Sequence, residues 1–326
     1  MQQTAIDFKR YSSIKIGSNV LVHVIDMKDM AASLVPYNDH IASNMPIKVK
    51  ANLSDCLVNA APKLFQNLSL YIPNIFDSLD VLNTVKKQSI FSSSLVCQDK
   101  MLYIIGRANN LLVSPNASNL AVLGSSFNYI SDLGEYVEMG ASVNSLQAFL
   151  YFKRHNLSGL EFLRSLPGNV GALCNMNAGM KSYEMKDCIS ELNINGIWVN
   201  LEQASLHYRG RDSSGVIFAV RFHKLEGFRW HLLNMFSLMR KSHPNNPSCG
   251  SCFKNPLNDY AGRLLELVGL KGFRIGDVGF SQKHANFLVN LGQARFEDAL
   301  ALIELAKKRV YEEFGVVLEC EVKICK

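Results

Sequence analysis

The residues best suited to chemistry in this 326-residue chain are two loops rich in glycine and asparagine and one close pair of cysteines. The first loop, Gly106-Arg-Ala-Asn-Asn110, follows an apolar run and precedes Leu111-Leu-Val113. The second, Pro167-Gly-Asn-Val-Gly171, continues through Asn175-Met-Asn-Ala-Gly179. Glycine lets backbone N–H groups turn into a concavity and approach a phosphate closely. Neither loop has the G-x-G-x-x-G spacing of a dinucleotide fold or the Lys-Ser/Thr ending of a P-loop, and each is also compatible with an ordinary turn. Cys249-Gly-Ser-Cys252 has the spacing of a redox dithiol or of half a zinc site. Zinc requires a second pair at matching spacing, which Cys320 and Cys325 do not provide. Pro247 before the pair and Pro256 after it point to a loop or turn rather than a strand-to-helix junction.

The elements that must carry these residues are read from periodicity. Short buried strands are expected at 20–25 and 101–106, and a further strand at 134–140. Residues 142–155 place Val143, Leu146, Phe149 and Leu150 at helical spacing. Asn195-Gly196, within 192–199, marks a hairpin closed by a type I′ turn. Residues 216–222 continue as a strand, and a helix from about 228 must stop before Pro244. The clearest helix is 298–314, with Ala299, Ile303, Ala306 and Val310 on one face and Gly315 as its stop. A terminal strand alternates Leu318, Cys320, Val322 and Ile324 with Glu319, Glu321 and Lys323. Residues 27–100, rich in Ser, Asn and Asp, read as an insertion of helices and loops. The two periods mix without a regular βαβ beat, which gives an α+β fold.

Composition narrows the function classes. An apolar fraction of 48% with only 19% charged residues excludes a disordered chain. The length suggests two or three domains at ~150 residues each. Lys+Arg 34 against Asp+Glu 28 gives +6, too weak an excess to mark a nucleic-acid binder. No apolar run approaches the ~18 residues of a membrane span, and the N-terminus has no signal-peptide pattern. Eight scattered cysteines (56, 97, 174, 188, 249, 252, 320 and 325) read as reduced thiols in a cytoplasm.

Longer motifs carry a resemblance. Gly159-Leu-Glu-Phe-Leu-Arg-Ser-Leu-Pro-Gly-Asn-Val-Gly-Ala172, with Asn177-Ala-Gly179, resembles the flavin-binding signature of the UDP-N-acetylenolpyruvoylglucosamine reductases, also called UDP-N-acetylmuramate dehydrogenases or MurB. Further blocks follow in the family's order: Tyr208-Arg209, Gly250-Ser-Cys-Phe-Lys-Asn-Pro256, Ala261-Gly-Arg-Leu-Leu-Glu266 with Gly269-Leu-Lys-Gly272, Lys283-His-Ala-Asn-Phe287 and Leu318-Glu-Cys-Glu-Val322. The resemblance runs over 11–326.

It implies a two-lobed FAD-binding module of the PCMH/VAO-like kind, lobe 1 at 1–115 and lobe 2 at 116–225, followed by a C-terminal α+β substrate-binding domain at 226–326. It also implies bound FAD, NADPH as reductant, and reduction of the enolpyruvyl ether of UDP-N-acetylglucosamine to UDP-N-acetylmuramate for peptidoglycan. The expected partners are small molecules, with no nucleic acid, membrane or obligate protein partner. By family position Ser251 donates a proton to the substrate carbon, Arg209 grips the substrate carboxylate, and Glu321 polarises the same group. Lys254, Asn255, Asn286 and Lys323 are the implied substrate contacts. Gly106, Asn109, Asn110, Gly168, Val170, Gly171 and Gly179 are the implied FAD contacts, as backbone donors or close-approach positions.

The chain departs from the family pattern in places. The family's first loop reads G-G-G-S-N, whereas this one is Gly106-Arg-Ala-Asn-Asn110. Arg211 rivals Arg209 for the carboxylate, and the short join between 222 and 228 suits the branch without an extra tyrosine-bearing loop. Two other readings are a related FAD-dependent oxidoreductase with another substrate and a non-catalytic flavin- or UDP-sugar-binding protein. The presence of Ser251, Asn255 and Glu321 weighs against both.

Overall fold

The computed structural model describes residues 2–29, 94–97 and 100–326. Most of the expected insertion at 27–100 lies outside the described residues; at its end Ser94–Cys97 is a strand paired antiparallel with Lys100–Ile104. That hairpin lies at one edge of a five-stranded sheet, running from Gln2–Asp7 through Asn19–Ile25, Leu120–Leu123 and Lys100–Ile104 to Ser94–Cys97. Its central pairs are parallel and its outer pairs antiparallel.

A second five-stranded sheet is antiparallel throughout, in the order Ile197–Asn200, Ile189–Ile194, Ile217–His223, Tyr136–Gly140, Ile130–Asp132. The hairpin at Asn195-Gly196 forms as expected, with Ile194 opposite Ile197 and both turn residues at positive φ, +53° and +91°. Helices Ser145–Arg154 and Trp230–Lys241 share this sheet's core. The face expected for the first of them is corrected. Leu146 and Leu150 are exposed, and Ala148, Phe149 and Phe152 face the core. Reciprocal capping bonds between Asn144 and Gln147 start the helix at Ser145 and so set its rotation. Beside this core, buried Glu161 accepts hydrogen bonds from the Gly159 and Arg229 amides and from the Arg229 guanidinium. Burial alone would raise its carboxyl, but those donors bring it below the usual value.

The third sheet is antiparallel, in the order Ser248–Ser251, Phe287–Asn290, Val278–Phe280, Arg274–Ile275. It packs with helices Ala261–Leu267 and Phe296–Phe314. In the long helix Ala299, Ile303, Ala306 and Val310 are all buried, and Gly315 ends it at φ +66°, donating to the Tyr311 carbonyl. Cys249, Gly250 and Ser251 belong to an edge strand with a register shift rather than to the expected loop or turn, and Cys252 sits in a bend just after it. Flanking prolines had suggested a turn, but Pro247 serves the sheet by accepting the Asn290 N–H. Among the described residues no helix is long and apolar enough to cross a membrane.

The chain end is shorter as a strand than its alternation implied. Only Lys323–Cys325 is extended in a ladder, and its partner is the distant segment Leu111–Val113, in parallel. Ile14, Ile16 and Leu112, from early in the chain, complete the core under the third sheet. Deleting 323–326 should therefore lower the unfolding free energy by about 2–4 kcal/mol, through lost apolar burial and ladder bonds. A urea titration measures this, and an unchanged midpoint would show that the pairing contributes nothing.

Candidate active site

A cleft of about 470 Å³, within the usual range for small-molecule sites, is lined by residues of the first two units and by Glu321 and Lys323. No described residue of the third sheet, Ser251 included, lines it. The first sheet contributes residues 104–111 and 122–125, and the second unit contributes Ala141, Ser142 and the 167–176 segment. Arg209, Glu321 and Lys323 close one end. Of the four charged residues lining it, Arg107, Arg209 and Lys323 are cations and Glu321 is the lone carboxylate, a balance suited to an anionic ligand.

Two close approaches shape the walls. A Cβ on Gly171 would lie 2.6 Å from the Ala141 Cβ, and one on Gly106 would lie 3.0 Å from the Ala172 Cβ. The N–H groups of Val170 and Gly171 donate to the Val143 and Ala141 carbonyls, so these residues offer close approach rather than donors. Beside Gly106 sits the Oδ1 of Asn169, buried and without a hydrogen-bond partner. Such an atom invites a ligand donor, and Asn169 was not anticipated, because its neighbours' glycines drew attention to the backbone alone. Gly179 lies elsewhere, paired with Glu184 in a small hairpin where a Cβ would strike the Tyr183 carbonyl at 2.3 Å.

Arg209 and Glu321 form an ion pair, Nε to Oε1 2.8 Å, with side chains only 21% and 12% exposed. Arg209 occupies a two-residue turn between Leu206–His207 and Gly210–Arg211, at φ +58°. That conformation is strained for a non-glycine residue, and the side chain it carries lines the cleft and meets Glu321. Burial raises the Glu321 carboxyl above its usual value, and the charges of Arg209, Lys254 and Lys323 oppose that rise. Arg211, by contrast, is buried and engaged with Asn175, Ser213 and Gly215. Of these two arginines, Arg209 lines the cleft and Arg211 does not.

Ser251 ends its edge strand beside the segment that carries Glu321. The Glu321 N–H donates to the Cys252 carbonyl at 2.8 Å, and Lys254 N–H donates to the Glu319 carbonyl at 2.9 Å. Ser251 Oγ has no hydrogen-bond partner among the described residues. Two of the implied substrate contacts instead hold this framework. Buried Asn286 accepts from the Phe253 N–H and donates to its carbonyl, at 2.9 and 2.8 Å. Asn255 accepts from the Ala261 N–H at the start of its helix. Lys254 pairs with Glu319 at 2.6 Å, and Asn110 donates to the Glu321 carbonyl at 3.0 Å. Cys249 and Cys252 are sealed in the core, and burial pushes the Cys249 thiol up to about 12, which removes the dithiol reading.

These two arginines should respond differently to truncation. Arg211→Ala should cost about 3 kcal/mol or more by stranding buried acceptors, whereas Arg209→Ala should cost less, because the sheltered Glu321 carboxyl can answer the loss of its partner by taking up a proton. Arg209→Ala should also raise the Glu321 pKa further, by removing its nearest cation. Urea titration and a carboxyl-specific NMR titration measure the two effects; equal stability losses would show that both arginines are structural.

Residues 242–325 match the family model described as UDP-N-acetylenolpyruvoylglucosamine reductase, C-terminal domain. The UDP-N-acetylenolpyruvoylglucosamine reductase of Helicobacter hepaticus is 59% identical over 221 residues, covering 68% of this chain and 84% of that protein. The enzyme of the same name from Campylobacter jejuni strain RM1221 is 40% identical over 227 residues, covering 68% of this chain and 88% of that protein. Among solved structures, the UDP-N-acetylenolpyruvylglucosamine reductase (MurB) of Thermus caldophilus superposes with a TM-score of 0.69 at 24% identity, covering 100% of both chains. At that identity the superposition speaks for the fold.

Proposed function

The chain belongs to the UDP-N-acetylenolpyruvoylglucosamine reductase family, and from that premise we propose how its cleft carries out the reduction of UDP-N-acetylglucosamine enolpyruvate to UDP-N-acetylmuramate. The family is one of flavoprotein oxidoreductases of peptidoglycan precursor synthesis. In this reading FAD lies along the cleft, held by residues 106–110 and by the walls at Gly168 and Gly171. The unpartnered Asn169 Oδ1, the cationic lining and the close-approach glycines support that fit. When bound, the flavin supplies hydride equivalents drawn from NADPH.

The distinct cores support a two-lobed cofactor module followed by a C-terminal substrate domain. They move the boundaries expected for lobes at 1–115 and 116–225 and a domain at 226–326: Leu120–Leu123 pairs into the first sheet, and Phe228, Leu232 and Phe236 join the second sheet's core. Use of NADPH and a UDP-sugar fits a cytoplasmic setting, where the described cysteines remain free thiols.

The observation that carries the proposal is the sheltered Arg209–Glu321 pair, with Ser251 on the strand bonded beside it. Arg209 would grip the substrate carboxylate and stabilise the enolate-like charge that develops beside it when hydride adds to the terminal methylene carbon. Glu321 holds the guanidinium in place. Ser251, whose hydroxyl has no partner among the described residues, would supply the proton to the carbon that bears the carboxylate. Asn286 keeps Phe253, and with it the end of the Ser251 strand, fixed in register. Lys254 and Lys323 lend positive charge around Glu321 and the substrate.

The purified protein should carry a flavin spectrum that NADPH bleaches and the enolpyruvyl nucleotide restores under anaerobic conditions. Ser251→Ala should keep the first half-reaction and slow the second by roughly a hundredfold or more. A colourless protein that takes up no FAD sinks the proposal; bleaching without reoxidation by this substrate favours a related oxidoreductase.

The pH dependence follows from Glu321. As pH falls through its pKa the carboxylate gains a proton and its pairing with Arg209 weakens. Because burial raises that pKa, the acid limb of the substrate half-reaction should lie above pH 4.5, the ordinary glutamate value. Glu321→Gln should flatten the limb in the residual rate, and an unchanged limb would assign the titration to another group.

A further inference from the structure

All five residues of the loop at 106–110 line the cleft, and three of its carbonyls are held by other segments, one of them by Tyr11, which borders the cleft as well. The Tyr11 hydroxyl donates to the Gly106 carbonyl, and the Ser13 hydroxyl donates to the Asn109 carbonyl at 3.0 Å. The Asn110 carbonyl accepts the Lys323 N–H at 3.0 Å. In a trans peptide the N–H points opposite to the C=O. Anchoring the Gly106 and Asn109 carbonyls therefore turns the N–H groups of Arg107 and Asn110 away from the N-terminal segment. Among the described residues neither N–H donates to any acceptor, nor does that of Asn109.

The backbone conformation fits the same purpose. Gly106 and Ala108 are both left-handed, at φ +52° and +50°, and alternation of this kind gathers N–H groups into an anion-binding nest. Alanine adopts that conformation only where surrounding bonds over-determine it. At this point the family has glycine, so the chain needs an outside restraint that a glycine-rich loop does not. Tyr11 is suited to supply one. Its ring packs edge-on against buried Phe8 at 5.8 Å, and burial keeps its hydroxyl protonated well beyond neutral pH.

We propose that Tyr11 and Ser13 are positioning residues for the cofactor's pyrophosphate, holding the 106–110 backbone so that the N–H groups of Arg107 and Asn110 bind its oxygens. The inference rests on the FAD reading above. It also assigns a role to the short helix Phe8–Tyr11 and the turn after it, which the family motifs leave without one.

A tether that acts through the pyrophosphate predicts a ligand-dependent loss. FAD and riboflavin share the isoalloxazine ring, and only FAD has the pyrophosphate. Titration of the deflavinated protein should show Tyr11→Phe weakening FAD by roughly tenfold, the scale of one lost hydrogen bond, with riboflavin affinity and thermal midpoint unchanged. Ser13→Ala should behave likewise, and at saturating FAD the turnover of both variants should match wild type. Equal FAD affinity in wild type and Tyr11→Phe would overturn the inference, as would equal losses for FAD and riboflavin. A wild-type protein that binds no FAD overturns the cofactor reading and this inference with it, whereas normal wild-type binding with unaffected variants overturns the tether alone.

Discussion

The parallel pairing of Lys323–Cys325 with Leu111–Val113 brings the last residues of the chain back to one of its earliest loops, and the contents of the cleft depend on it. Three ladder partners are enough to draw Glu321 and Lys323 up to the loop at 106–110, where the Asn110 side chain and carbonyl engage both. The Glu321 segment also binds the Ser251 strand, so one stretch of backbone joins the loop of the first unit to the chemistry of the third. A carboxylate this sheltered is tolerable only because Arg209 meets it directly and two lysines lie near. Charge and topology thus have to be satisfied together.

Much of the polar sequence in the motifs serves the backbone rather than a ligand. Asn286 brackets one peptide of the edge strand, Asn255 caps a helix, and Asn177, fully buried, binds Glu184, the His207 carbonyl and the Lys186 N–H. The Asn177 bond to the His207 carbonyl steadies the hairpin whose turn carries Arg209. Buried amides of this kind have to find partners, and once found they fix the position of the next residue along. Among the described residues a few side chains remain without protein partners, notably Ser251 and Asn169, and the second of these lines the cleft.

Local patterns read well. The Asn195-Gly196 hairpin, the helix ending at Gly315 and the short strands all follow from interactions within a few residues, which one stretch of sequence contains in full. Where the local pattern misled, a distant partner intervened. The Cys249–Ser251 segment has turn-like flanks but gains its strand character from Phe287–Asn290. Leu146 and Leu150 keep helical spacing, yet a capping box rotates the helix so that other residues face inward.

By itself the sequence determined the family, the α+β character and the ordered blocks of residues on which the chemistry rests, because these reside in residue identity and short spacing. Only the tertiary structure decided which arginine enters the cleft, which asparagines hold the frame, that the cysteines are sealed, and that Glu321 is a strained carboxylate rather than a solvated one. Each of those depends on burial and on partners far apart in sequence, as in the bond between Asn110 and Glu321, 211 positions apart. Spacing along a chain carries no information about such distances in space; packing creates them.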